Sequence, residues 1–126
     1  MTTKVGVVRD NRELDAADAQ LQDLLSRFDR IDLGESSPWV NQTLAYARQV
    51  QDMAQLARVI ARSARSRDEC RGAHHKPEFA LPLPAGKHPG DPEYAAFTER
   101  WKANNARWLK TTVATPTPAG PSIGYA

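Results

Sequence analysis

Residues 39–67, WVNQTLAYARQVQDMAQLARVIARSARSR, hold neither glycine nor proline, and their pattern decides the fold. Val40, Leu44, Ala47, Val50, Met53, Ala54, Ala57, Ile60, Ala61 and Ala64 recur at helical spacing, so one stripe of a long helix is apolar. Such a helix would run about 43 Å at 1.5 Å per residue. Small residues on the stripe let a neighbouring helix come close, which favours a bundle over an isolated rod. Ser36-Ser37-Pro38-Trp39 reads as its start. Ser37 would be the N-cap, and Pro38 at the first helical position lacks an N–H that has no partner there anyway.

Upstream, Val5-Gly6-Val7-Val8 reads as a strand stub or an extended lead-in, after which Asp10 or Asn11 can cap a first helix. Leu14, Ala17, Leu21, Leu24, Leu25 and Phe28 form its apolar stripe, and Gly34 follows its end. Downstream, Gly72 is expected to end the long helix with a positive φ. Prolines 77, 82, 84 and 89 with Gly86 and Gly90 then exclude regular helix. A connection this long is usually a functional loop or a disordered one. Asp91-Pro92-Glu93 restarts a helix, and Tyr94, Phe97, Trp101 and Trp108 lie along one face of it. Thr111–Thr115 has strand character, 116–121 is a turn region, and Ser122–Tyr125 could pair back. The pattern therefore predicts an all-α chain, an antiparallel three-helix bundle over about 11–30, 38–67 and 91–109. A long 70–90 loop and a short C-terminal β-hairpin complete it, giving a bundle domain at 1–110 and a tail or hairpin at 111–126. Leu21, Leu24, Phe28, Leu44, Ile60, Phe97, Trp101 and Trp108 are its expected core.

Length and charge narrow the function. The 126 residues, 14.0 kDa, can bury one core, which leaves no room for separate cofactor and substrate domains. One cysteine makes no internal disulfide. The longest apolar runs fall far short of the ~20 residues of a membrane span. Met1-Thr2-Thr3-Lys4 lacks the apolar core of a signal peptide, so a cytoplasmic location is expected. Seventeen basic and fifteen acidic residues nearly cancel. Their distribution is uneven: Asp10–Glu35 carries eight acids and three basics, whereas Arg58–Lys76 carries six basics and two acids. Opposite charge suits two helices that pack as antiparallel neighbours.

The densest polar chemistry lies in Arg67-Asp68-Glu69-Cys70-Arg71-Gly72-Ala73-His74-His75-Lys76-Pro77-Glu78-Phe79. Cys70 and His74, with His75 or His88, could ligate a metal, but structural zinc needs four ligands in paired spacings. Cys70 with His74 could form a nucleophile and base, which would also need an oxyanion site. The basic run could contact phosphates, yet the aromatics lie elsewhere at core spacing, so stacking platforms are missing and no nucleic acid is expected.

The same run, with Trp108-Leu109-Lys110-Thr111-Thr112, resembles the C-terminal helical domain of the succinate dehydrogenase/fumarate reductase flavoprotein subunit. That family usually reads Arg-x-Glu-Ser-Arg-Gly-Ala-His, then a Pro-Glu-Phe stretch, then Leu-Lys-x-Thr. Val7-Val8-Arg9 and Trp39, Asn41 and Gln42 match the type found beside b-type cytochrome anchors, and the resemblance spans essentially the whole chain. L-aspartate oxidases share the block but often differ at the Ala73 position, so Ala73 leans toward the dehydrogenase branch. Cys70 stands where Ser is usual, and Ala80–Arg100 is longer than the family's link.

The resemblance implies that FAD, its covalent histidine and the substrate-binding residues belong to upstream regions of a parent flavoprotein. This chain alone would then be inactive, with no catalytic, cofactor-binding or metal residues of its own. Arg67, Glu69, Arg71, Gly72 and His74 would form a domain-docking loop against the flavin-binding body. Arg71 and His74 would bond across that junction, and Gly72 would permit a sharp turn. The implied partners are that body and an iron–sulfur subunit, within electron transport of the tricarboxylic acid cycle. Any membrane would be met only indirectly, at its inner face through the complex. The alternative is a small helical binding module whose basic helix end recognises an acidic partner or nucleic acid.

Overall fold

Asp10 starts the first helix. Its carboxylate accepts from the amides of Arg12 at 2.8 Å and Glu13 at 3.3 Å, satisfying two donors that a helix start leaves free. Helix α1 runs Asn11–Phe28 in the computed structural model, which describes residues 4–34, 37 and 39–126. Helix α2 runs Gln42–Ser66 and begins later than the glycine-free stretch suggests. Asn41, not Ser37, is its N-cap: Oδ1 accepts the Leu44 amide at 2.8 Å. Asn caps as well as Ser does, and this side chain reaches the third helical amide. Ser37 lies outside the helix, while Ser36 and Pro38 lie outside the described residues.

The charge asymmetry sets how α1 and α2 pack. Asp18 pairs with Arg58 at 2.8 Å and Arg62 at 2.9 Å, and Asp15 with Arg65 at 2.9 Å. Asn11 donates to Asp68 at 3.1 Å. Partner numbers fall along α1 as they rise along α2, so the helices are antiparallel. Between these pairs Leu14 and Ala17 are buried with Ala54, Ala57, Ala61 and Ala64, where the small side chains allow close approach.

The end of α2 is closed by tertiary partners rather than by glycine. The Tyr125 hydroxyl donates to the Ser66 carbonyl at 2.9 Å, and Lys76 Nζ donates to the Arg65 carbonyl at 3.2 Å. These satisfy carbonyls that have no partner within the helix. Gly72, expected as the helix terminator, instead stands in a tight turn beyond it, where Arg71 and His74 exchange both backbone hydrogen bonds. Its φ of +55° followed by a negative φ at Ala73 is the sign pattern of a type II′ turn, which places glycine first.

A 3₁₀ turn at Pro77–Phe79 and an irregular segment lead to α3, Pro92–Trp108. Strands β1, Thr112–Thr115, and β2, Ser122–Tyr125, pair antiparallel with Thr112 opposite Tyr125 and Thr115 opposite Ser122. Prolines 116, 118 and 121 fall in the connecting turn, where they remove no ladder donor. The hairpin lies against α2, with Arg62 donating to the Pro121 carbonyl at 2.9 Å. Three helices and a C-terminal hairpin are thus present, as the pattern predicts.

Burial departs from the expected core. Trp108 is buried against Tyr125, ring centroids 5.9 Å apart, and Leu21, Phe28 and Phe97 are half-buried. Leu24, Leu44, Ile60 and Trp101, expected inside, are exposed. Leu44 lies beyond the reach of α1, which stops at Phe28, and Ile60 lies beside the alanine seam rather than on it. Trp101 is exposed because α3 makes no backbone approach to α1, α2 or the strands, and its bonds to Arg67 and Arg71 come from its C-terminal turn.

Candidate functional site

Between the end of α2 and the 3₁₀ turn the chain collects charge in a small volume. Glu69 is buried, and both its carboxylate oxygens are occupied. Arg67 donates to Oε1 from Nε at 2.8 Å and also from Nη2, and Arg71 Nε donates to Oε2 at 2.9 Å. Burial alone would raise the Glu69 pKa, but the bonds and charges of Arg67 and Arg71 outweigh it and hold the carboxyl below its usual range.

The two arginines extend from this carboxylate to separate elements. Arg67 reaches the carbonyls of Trp108 at 2.5 Å and Lys110 at 2.9 Å, and the Thr112 hydroxyl at 3.0 Å. Its guanidinium also lies over the Trp108 and Tyr125 rings, 5.7 and 5.8 Å from their centroids. Arg71 Nη2 donates to Asn105 Oδ1 at 2.5 Å. Glu69 is therefore the point through which α2, the C-terminal turn of α3 and the hairpin are joined.

His74 closes the other side. Its Nε2 lies 2.8 Å from the Arg67 carbonyl, which can only accept, so Nε2 carries the hydrogen. Nδ1 is then the acceptor for Arg9 Nη1 at 2.6 Å. Burial, foremost, and the charges of Arg9 and Lys76 lower the His74 pKa, in the direction of the neutral ring that accepting from Arg9 requires. Beside it Lys76 is buried, with Nζ on Asp68 at 3.0 Å and 5.7 Å from the Phe79 ring centroid. Desolvation lowers the Lys76 pKa against the opposing pull of Asp68.

The five residues expected in a docking loop thus lie together, with Arg67, Glu69, Arg71 and His74 bonded to groups of this chain. Arg9, Asp68, Lys76, Asn105 and Tyr125 complete the arrangement and were not expected there. Chemically it is a clamp: a carboxylate shared by two guanidinia is a poor base. Cys70 Sγ lies 3.0 Å from His75 Nδ1, so the thiol faces His75 rather than His74. No group of three histidine, cysteine or acidic side chains converges as metal ligands among the described residues.

An antiparallel helix pair, a third helix bonded through its last turn, and an arginine-clamped loop make a small, mostly helical fold. The chain belongs to the fumarate reductase flavoprotein C-terminal family, whose profile matches residues 1–126. It is 39% identical over 114 residues to the succinate dehydrogenase flavoprotein subunit of Bacillus subtilis, covering 90% of this chain and 16% of that one. Against one subunit of the CoM/CoB fumarate reductase of Methanothermobacter marburgensis it is 30% identical over 87 residues, covering 69% and 16%. The chain thus spans about one sixth of these relatives' length. Its fold matches part of FrdA of E. coli quinol fumarate reductase, with a TM-score of 0.73 and 24% identity over all of this chain and 18% of that one.

Proposed function

We propose that this chain is the structural and subunit-docking part of a succinate dehydrogenase or fumarate reductase flavoprotein, and that redox chemistry belongs to the rest of that protein. One observation carries the reading. Glu69, His74 and Lys76, acid–base groups buried or half-buried in the loop, are spent on internal bonds, while large apolar side chains stand in water: Trp39 is 91%, Val40 72% and Leu109 75% exposed. Exposed apolar groups of this size, with Tyr46, Met53 and Leu56 on α2, mark surface built to be covered.

FAD would be held by the parent protein, because the residues here do not fit it. Among the described residues both strands follow the last helix, so no strand leads through a glycine-rich turn into a helix. A cleft of about 490 Å³ between α1, α2 and the hairpin turn offers Arg58 as its charged lining group. Arg58 is already bonded to Asp18 and Gln22. The partners in this reading are the flavin-binding body, joined through the face that carries the 67–74 loop, and an iron–sulfur subunit. Membrane association is indirect, through the complex at the cytoplasmic face.

Flavin titration with assembly tests the reading. The chain alone should take up no stoichiometric FAD and oxidise no succinate, and it should bind a separately expressed flavin-binding body of the same protein. Stoichiometric flavin uptake by the chain, or failure to bind that body, overturns it.

A further inference from the structure

The segment before α1 is attached to the charged loop by few groups. Val8 and His75 form a parallel bridge in which the Arg9 amide donates to the His75 carbonyl at 2.8 Å and the His75 amide to the Val7 carbonyl at 3.1 Å. Val7 and Val8 are exposed and Val5 is half-buried, so apolar burial contributes only in part to the attachment. The Lys4–Glu13 ion pair, at 3.9 Å on the surface, adds little either. Among the described residues the side-chain hydrogen bond from this segment to the loop is Arg9 Nη1 on His74 Nδ1, with Arg9 Nε turned back to the Gly6 carbonyl at 2.8 Å.

We propose that Arg9 and His74 form a proton-released latch: the neutral imidazole holds residues 4–9 against the loop, and a proton on His74 lets them go. The atoms require the coupling. Nε2 already carries a hydrogen for the Arg67 carbonyl, so a proton can add only at Nδ1, the atom that accepts from Arg9. Protonation removes that acceptor and sets a second cation against the guanidinium. The charged groups facing His74 are Arg9 from the N-terminal segment and Lys76 and Glu69 from the loop. Two are cations, and the one carboxylate is already shared between Arg67 and Arg71. The closed state therefore resists the proton, whereas a released imidazole takes it near the ordinary value of about 6.5. As pH falls below that value, the ratio of closed to open shifts toward open by up to about tenfold per unit, until the closed state also protonates. This inference goes beyond the docking reading and does not depend on it.

Amide hydrogen exchange on the full chain, expressed as protection factors, tests the latch together with histidine NMR. Between pH 7.5 and 5.5 the Arg9 and His75 amides should lose about tenfold in protection and stay well below those of Ala57 and Ala61 throughout, because the latch opens without unfolding the helix pair. His74 should show the Nε2-protonated tautomer and titrate below its ordinary value. His74→Gln offers a donor and an acceptor without a titrating ring, and should abolish the pH dependence at both amides. Arg9→Gln keeps a donor but removes the facing charge, and should raise the His74 titration midpoint; it serves where His74→Gln does not fold. Unchanged protection in the wild type, an Nδ1-protonated ring, or an equal pH dependence in His74→Gln overturns the latch.

Discussion

Glu69 shows what a single side chain does here. A carboxylate taken out of water is costly unless paired, and Glu69 is paired twice, by Arg67 at the end of α2 and by Arg71 beyond it. Arg67 in turn gathers three acceptors from the α3 end and the hairpin. Removing the charge of Glu69 leaves Arg67 largely buried without a counter-ion while its neutral acceptors remain. Glu69→Gln should therefore destabilise the chain by about 3–5 kcal/mol, read from the urea midpoint. Arg71 is more exposed, and its loss leaves Glu69 still bonded to Arg67, so Arg71→Ala should cost about 1 kcal/mol. Equal losses for the two variants would show that Glu69 is not the junction.

At the scale of elements, α3 is the instructive one. Its sequence carries Tyr94, Phe97, Trp101 and Trp108 at spacings that read as one buried face, yet only Trp108 is buried. The helix makes no backbone approach to the other elements and leaves Tyr94 and Phe97 half-buried, so aromatic periodicity reported a helix correctly and its depth incorrectly. Trp108 is packed on Tyr125 with the Arg67 guanidinium nearby, and Trp108→Ala should cost about 3–5 kcal/mol. Trp101 is half in water, and Trp101→Ala should cost less than about 1 kcal/mol. Equilibrium unfolding of both variants decides it; a Trp101 loss as large as that of Trp108 would mean that α3 packs along its length.

Over the whole molecule, features set by neighbouring residues were legible and those set by distant ones were not. The Asp10 cap, the alanine stripe and the proline-marked hairpin turn are local, and each stands where the pattern puts it. The end of α2 falls within one residue of the expected 67, but Gly72 does not close it: its carbonyls are satisfied by Lys76 and Tyr125, which no local rule connects to it. The loop residues were legible as a polar cluster, but Arg9 on His74 and Asn105 on Arg71 join positions 65 and 34 apart. These long-range bonds also give the chain a common response to acid. Asp18, Asp68 and Glu69 each face a raising effect of burial that is outweighed by basic or hydrogen-bonding partners, so all three ionise more readily folded than unfolded. Their stabilisation is present above the ordinary carboxyl range and is lost as pH falls through the lowered folded values. His74, lowered chiefly by burial, takes its proton more readily unfolded, so stability also falls as pH drops below about 6.5. Both effects have the same sign and begin at different pH. The urea midpoint should hold steady from about pH 8 to 7, fall first below about 6.5, and fall more steeply below about 4.5, by up to about 1.4 kcal/mol per unit for each group. Asp18→Asn, which removes the carboxylate shared by Arg58 and Arg62, should flatten the second fall and leave the first in place. A midpoint that rises on acidification from pH 6.5 to 5 would mean that His74 gains a proton on folding, contrary to its position between the Arg67 carbonyl and Arg9.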